Sequence, residues 1–422
     1  MPDTPERVVI IGAGLAGANC AVALRDAGFH GEMTLVGDED HAPYGRPPLS
    51  KTYLRGEETL ESWTVKSADW YASNTVDWRR GVTATAIEAA AQHIVLDDGQ
   101  RVEYSKLVLC TGGRARRPKV PGSGLSGVHV LRTLRDCDAI KAVAKPGARA
   151  VVVGMGFIGS EVAASLRQLD VDVTAVFSGA GPLETVLGDD VAGVFARIHR
   201  DHGVTLVANA RAVAFEGADH VERVLTDTGE RIACDFAVVG AGIEPLTELA
   251  EAAGITLDNG IAVDSRCHTS VPHIYAAGDV ANHRHPLFGR VRVEHYNNAE
   301  KMGAAVARSV LGDQRPYDYV HTFWSDQYEH KLEYVGHATR WERFIVRGSL
   351  RDGFLGFYLT AGVLRAAVGF DRGGDPELEE DSEMHAVQSM IAKGSAPSAS
   401  LLADETVDLR ELARTAQQHA PP

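Results

Sequence analysis

Two stretches of the chain carry glycine in the spacing that binds a pyrophosphate: Gly12-Ala13-Gly14-Leu15-Ala16-Gly17 and Gly154-Met155-Gly156-Phe157-Ile158-Gly159. In such a G-x-G-x-x-G motif the first glycine permits a tight turn and the second lets the backbone approach the anion. The third lets strand and helix pack closely, and free N–H groups at the helix start face the phosphates. An acid about 20 residues further on receives a ribose hydroxyl. Asp38 or Glu39 stands there after the first motif. Asp279 follows Gly278 at the end of a later apolar strand, where open α/β sheets bind ligands. Its carboxylate suits a sugar-alcohol hydroxyl and also the cap of a short helix. Arg46 and Lys51 are cations on a loop stiffened by Pro47 and Pro48. Arg114, Arg116, Arg117 and Lys119 form a second basic stretch, a candidate patch for an acidic partner.

These residues need elements to position them. Residues 8–11 are four branched apolar residues and read as a buried parallel strand, with a helix over 18–27 ending near Gly28 and a second strand at 33–36. Strands at 82–87, 94–96 and 101–104 surround an Asp97-Asp98-Gly99 turn, and an apolar strand at 106–110 runs into Thr111-Gly112-Gly113. Residues 114–122 read as a linker or crossing. The same order then recurs: strand 150–153, helix to about 169, strands 173–177, 204–207 and 221–226, and strand 236–239 ending in Gly240-Ala241-Gly242. Self-similarity on this scale predicts two copies of one nucleotide-binding architecture. From His321 the pattern changes to short alternating strands, an antiparallel sheet followed by a helix over 376–393, a loop over 394–400 and a tail of uncertain order.

Composition narrows the function classes. A chain of 422 residues predicts two or three domains. No apolar run approaches the roughly 18 residues of a membrane span, and a first strand at Val8 leaves no room for a signal peptide, so a cytoplasmic protein is expected. A net charge of −15 argues against nucleic acid as a partner. The five cysteines include no C-x-x-C pair, which fits a reducing compartment and argues against a dithiol active site. His283, His285 and His295 do not have the spacing of a ligand set, so no metal is expected.

Together the glycine motifs, the block Arg46-Pro47-Pro48-Leu49-Ser50-Lys51, Thr111-Gly112-Gly113, Leu131-Arg132-Thr133, Glu161 and Gly278-Asp279 stand in the order found in the FAD-dependent pyridine-nucleotide oxidoreductases. Within them the chain resembles the ferredoxin and rubredoxin reductase branch over nearly its whole length. Glu244-Pro245 and Arg292-Val293-Glu294-His295 also resemble apoptosis-inducing factor, a relative in the superfamily. The resemblance implies an α/β fold with two Rossmann-like dinucleotide-binding domains and a C-terminal α+β domain. It implies a discontinuous FAD domain (1–114 and 244–320), an NAD(P)H domain (115–243) and a C-terminal domain (321–422, the tail from about 394 uncertain).

The resemblance further implies FAD contacts at Gly12, Gly14, Ala16, Gly17, Asp38, Glu39, Arg46, Lys51, Ala84, Thr111, Gly112, Arg132, Gly278, Asp279, Glu294, His295, Tyr296 and Trp324. It implies NAD contacts at Gly154, Gly156, Phe157, Ile158, Gly159, Glu161, Phe177, Gly240, Ala241 and Gly242. Lys51 and Glu161 are expected beside the flavin N5, where hydride arrives, and in direct contact with each other. The implied reaction carries hydride from NAD(P)H to FAD and then single electrons to a small iron–sulfur ferredoxin or rubredoxin serving an oxygenase or cytochrome P450. The implied assembly is a monomer or homodimer. An NADH-sensing flavoprotein like apoptosis-inducing factor, or an NADH oxidase or quinone reductase, shares the fold. One departure stands out. The second nucleotide strand ends in Phe177-Ser178, where an NAD site usually has an acid, and no arginine or lysine follows for a 2′-phosphate. The absence of a basic residue favours NADH.

Overall fold

The computed structural model describes residues 7–416 as two compact units. The first runs up to Gly45 and takes in Leu60–Arg114 and Glu244–His321. Its centre is a parallel sheet in the order Ile274–Ala276, Lys106–Leu109, Arg7–Ile11, Glu32–Gly37, Val76–Arg80. Val8, Val9 and Ile10 are fully buried, as a central strand covered on both faces requires. The strand Val76–Arg80 was not expected: its sequence, Val-Asp-Trp-Arg-Arg, carries the charges of an edge strand and hides the β pattern. The helix Leu15–Asp26 follows the first glycine motif. The hairpin predicted around Gly99 forms a three-stranded antiparallel sheet of Ala84–Glu88, His93–Leu96 and Arg101–Glu103.

The second unit contains Arg46–Thr59, Ala115–Ile243 and the chain from Thr322 on. It repeats the parallel architecture in the order Thr205–Val207, Asp172–Val176, Arg149–Val153, Phe236–Val239, Val128–Val130. The expected strand near 221–226 is the middle of a three-stranded antiparallel sheet, Ala212–Glu216, Arg223–Thr226 and Arg231–Ala233. The expected C-terminal antiparallel sheet forms from five strands, in the order Thr322–Gln327, His330–Gly336, Val363–Phe370, Gly353–Thr360, Arg343–Ser349. Phe354, Tyr358 and Phe370 of this sheet share one core with Val191, Val194, Phe195 and Ile198 of the helix Asp189–Asp201.

Two C-terminal expectations change. The helix begins at Glu383, not near Pro376, because the Ser382 hydroxyl accepts a hydrogen bond from the His385 N–H and caps it. The tail is also ordered through Ala416: the short helices Ala399–Ala403 and Leu409–Thr415 are capped by Ser398 and Asp408. The buried Arg347 guanidinium donates to the carbonyls of Asp404 and Val407, an attachment between distant residues that local pattern does not reveal. No helix among the described residues is long and apolar enough to cross a membrane.

Candidate dinucleotide sites and a buried ion pair

Both glycine motifs fold into the same backbone. Gly12 has φ +106° and Gly154 φ +93°, a left-handed region costly for side-chain-bearing residues. A Cβ on Gly12 would overlap the Cys110 carbonyl, and one on Gly17 or Gly159 the carbonyl of Gly12 or Gly154. Gly14 and Gly156 instead face open space, with no heavy atom within 4 Å of where a Cβ would stand. Each is the N-cap of its helix, and neither helix has a side-chain cap. Their first N–H groups are therefore available to an outside acceptor, and a pyrophosphate fits both turns.

Around the first turn, Ala16 is buried, its carbonyl against Gly303 of the helix Tyr296–Val310. Asp38 is exposed at the strand's end, while Glu39 accepts a hydrogen bond of 2.7 Å from the Tyr44 hydroxyl. Ala84 is buried. Thr111 donates through its hydroxyl to the Leu246 carbonyl (2.7 Å), and the Gly112 carbonyl accepts from the Leu246 N–H. Gly278 and the buried Asp279 lie in a single 3₁₀ turn, so Asp279 is within the turn rather than ahead of a helix. Glu294 is paired with Arg292 (2.7 Å), His295 is the N-cap of Tyr296–Val310, and the Tyr296 ring meets Trp63 edge-on.

In the second unit the proline loop packs on the helix Phe157–Gln168. The Lys51 ammonium lies 3.4 Å from the Glu161 carboxylate, and both side chains are less than a tenth exposed. Glu161 also accepts hydrogen bonds from Ser50 (2.5 Å) and Ser325 (2.7 Å). Lys51 stands 5.3 Å from the centre of the Trp324 ring and 3.7 Å from Asp326. A buried charge pair persists when its remaining hydrogen-bonding capacity is filled, and here two hydroxyls and a second carboxylate fill it. Sequence reading missed Ser50, Ser325 and Asp326. Their only signal is adjacency to Lys51 and Trp324. Arg46 donates to the Arg132 carbonyl (2.5 Å), immediately before Thr133, which caps the helix Leu134–Val143 in a capping box with Asp136.

Next to Trp324 the sheet carries another carboxyl. Glu333 pairs across the strands with Trp324 and Lys331 with Asp326, so their side chains share a face. Burial pushes the Glu333 carboxyl up to about 7, although the Lys331 ammonium lies 2.9 Å away.

Around the second turn, the Phe157 ring packs edge-on against Phe323, Ile158 is partly exposed, and Gly240 backs closely onto Gly159. Gly242 has φ +79°, and Ala241 between them is exposed. Phe177 is buried.

Two other expectations are altered. Arg114 is held between Glu244 and Glu248, and Arg117 donates to the carbonyls of Ser123 and Val128, so the basic stretch is largely engaged within the fold. His283 and His285 cluster with His321, which the sequence did not single out: all three are buried, with ring nitrogens within 4.8 Å of one another. His285 Nδ1 accepts from the N–H groups of Leu287 and Phe288, and Nε2 faces the Tyr319 carbonyl at 3.0 Å. Those partners assign the proton of His285 to Nε2 and occupy its Nδ1 lone pair.

The comparisons with known proteins cover the whole architecture. Residues 6–303 match the family described as pyridine nucleotide-disulphide oxidoreductase, and residues 322–413 match the reductase C-terminal family. The chain is 36% identical to putidaredoxin reductase of Pseudomonas putida, with 98% of each chain covered. It is 38% identical to the ferredoxin–NAD(+) reductase component of the biphenyl dioxygenase system of Paraburkholderia xenovorans, covering 82% of this chain and 85% of that one. The crystal structure of the covalent putidaredoxin reductase–putidaredoxin complex matches with a TM-score of 0.92 and 35% identity, covering 97% of this chain and 99% of that one.

Proposed function

Because the chain belongs to the pyridine nucleotide-disulphide oxidoreductase family, whose cofactors are FAD and NAD(H), we propose that it is a ferredoxin reductase. It takes hydride from NADH and passes single electrons to a small iron–sulfur protein of an oxygenase or cytochrome P450 system. The observation that carries this reading is the state of the cysteines. Two dinucleotide turns share one chain, yet all five thiols are free and buried. Burial pushes the thiols of Cys110 and Cys137 up to about 12 and that of Cys234 up to about 11, far from the thiolate that disulfide chemistry needs. Electrons therefore leave to an outside acceptor rather than through a protein disulfide. Free thiols also suit the cytoplasm, where we place the protein.

The domain assignment follows the two turns. Residues 1–114 and 244–320 take FAD, with Gly12, Gly14 and Gly17 at the pyrophosphate and Asp279 at a sugar-alcohol hydroxyl. Residues 115–243 take NADH, with Gly154, Gly156 and Gly159 at its pyrophosphate. The bound flavin supplies the exchange between a two-electron hydride and single electrons. The Lys51 ammonium would offset negative charge on a reduced flavin bound beside it. Glu161 holds that ammonium and would orient the nicotinamide amide. Ser50 and Ser325 fix Glu161, so positioning rather than acid–base catalysis provides the rate.

Anaerobic NADH should bleach the yellow protein, and adding a small iron–sulfur ferredoxin should restore the oxidised flavin spectrum within a turnover. Purification with FMN alone would refute the reading. So would a persistent charge-transfer band with slow ferredoxin reduction, the behaviour of a nucleotide-sensing flavoprotein.

A further inference from the structure

Phe177 follows the strand Asp172–Val176 where the nucleotide fold ordinarily places an acid, and its side chain is buried and apolar. The loop that follows supplies a carboxylate by another route. The Phe177 carbonyl accepts from the Ala210 N–H and the Gly179 carbonyl from the Asn209 N–H, which holds the loop's first half against the neighbouring strand's end. Leu183 then donates its N–H to the carbonyl of Met155, the residue between the first two glycines of the second turn (2.8 Å). That bond fastens the loop beside the turn. Leu183 is a buried non-glycine residue at φ +61°, a conformation that persists only where the surroundings impose it.

The next residue is Glu184. Its Oε2 accepts hydrogen bonds from the N–H groups of Ala180 (2.5 Å) and Gly181 (3.2 Å), so the carboxylate is folded back over the loop and fixed by the backbone. Neither bond uses Oε1. No lysine or arginine lies between Phe177 and Gly188. Arg211, beyond the adjacent strand, is committed to Asp227 through its backbone N–H and its guanidinium.

We propose that Glu184 determines the choice of dinucleotide: its carboxylate takes the place of the missing strand-end acid, accepting the hydroxyls of the adenosine ribose and repelling a 2′-phosphate. The proposal rests on the reading of residues 115–243 as the NADH domain. The strained Leu183 and the bond to Met155 position the acid. The two N–H groups orient it with one oxygen toward the ligand.

The test is titration calorimetry of the oxidised holoprotein with ADP-ribose and with 2′-phospho-ADP-ribose, for the wild type and for Glu184→Gln. The amide keeps the size of the side chain and an acceptor for the loop N–H groups. The wild type should bind ADP-ribose the more tightly. Glu184→Gln should narrow the ratio of the two dissociation constants about tenfold, the scale of one charge-assisted hydrogen bond. An unchanged ratio would overturn the proposal, leaving Glu184 as a brace of the loop whose loss lowers the melting temperature alone. Gly156→Val tests the premise separately, because a side chain there fills the open space over the turn. Both ligands should then be lost, and unchanged binding in that variant would overturn the domain reading itself.

Discussion

The two glycine turns share a backbone and differ in side chains. Their N-caps have nearly the same conformation, φ −81° and ψ −169° at Gly14 against φ −73° and ψ −170° at Gly156. Each strand before a turn pairs with its neighbour over five residues in parallel register, Arg7–Ile11 with Glu32–Val36 and Arg149–Val153 with Asp172–Val176. Beyond that frame they diverge. The first is followed by Asp38 and Glu39 directly at the strand's end. The second has Phe177 there and reaches a carboxylate only at Glu184. The first helix has no acid in its early turns, whereas the second carries buried Glu161. Uncapped backbone N–H groups stand ready for a phosphate in either copy. On the proposed reading, side chains outside the repeat choose the nucleotide and the chemistry, and they are free to change because the turn does not depend on them.

The comparison breaks most completely at the glycines. Gly12→Val should yield protein without FAD, since the side chain collides with the Cys110 carbonyl. Gly154→Val should remain yellow but fail to be bleached by NADH, a difference read directly from the flavin spectrum. The second turn's buried pair gives the next effect. Lys51→Met leaves the Glu161 carboxylate without its principal cation and should cost about 3 kcal/mol in urea unfolding. It should also slow anaerobic flavin reduction. Adding Glu161→Gln should recover much of the stability and none of the rate.

A smaller effect depends on pH. Glu333 titrates near its ordinary 4.5 in the unfolded chain and near 7 in the fold. Between those values the unfolded chain has released its proton while the folded one retains it. Stability is therefore lost as pH rises from about 4.5 through 7. Glu333→Gln should raise stability by about 2 kcal/mol at pH 8 and leave it unchanged at pH 4, measured by urea unfolding. The smallest effect sharpens the contrast between helices that await a ligand and one that caps itself. Thr133→Ala removes the capping box of Leu134–Val143 and should cost about 1 kcal/mol, equally with and without NADH.

Much of this was legible from the chain alone because the signals were local. The glycine spacing, the fully buried strand Phe236–Val239 and the C-terminal antiparallel sheet follow from side-chain size and period. Even the Lys51–Glu161 contact was accessible, but through family resemblance rather than pattern, since 110 positions separate the two. What local pattern concealed has a common cause. The strand Val76–Arg80 is an edge, so its charges face water and blur its period. The Ser382 cap shortened a helix whose composition extends further back.

By itself the sequence determined that the chain holds two nucleotide turns, because only glycine tolerates the left-handed and crowded backbone positions that such a turn requires. It also showed that the five cysteines include no C-x-x-C pair, which argues against a dithiol site. Only the tertiary structure decided which polar groups meet. It brought Ser50 and Ser325 to Glu161, placed His321 beside His283, paired Arg114 with Glu244 and Glu248, and turned Glu184 back over its loop. The physical reason is that a backbone turn is set by the conformational limits of its own residues. A buried charge is set by whichever distant groups the packed chain delivers to satisfy it.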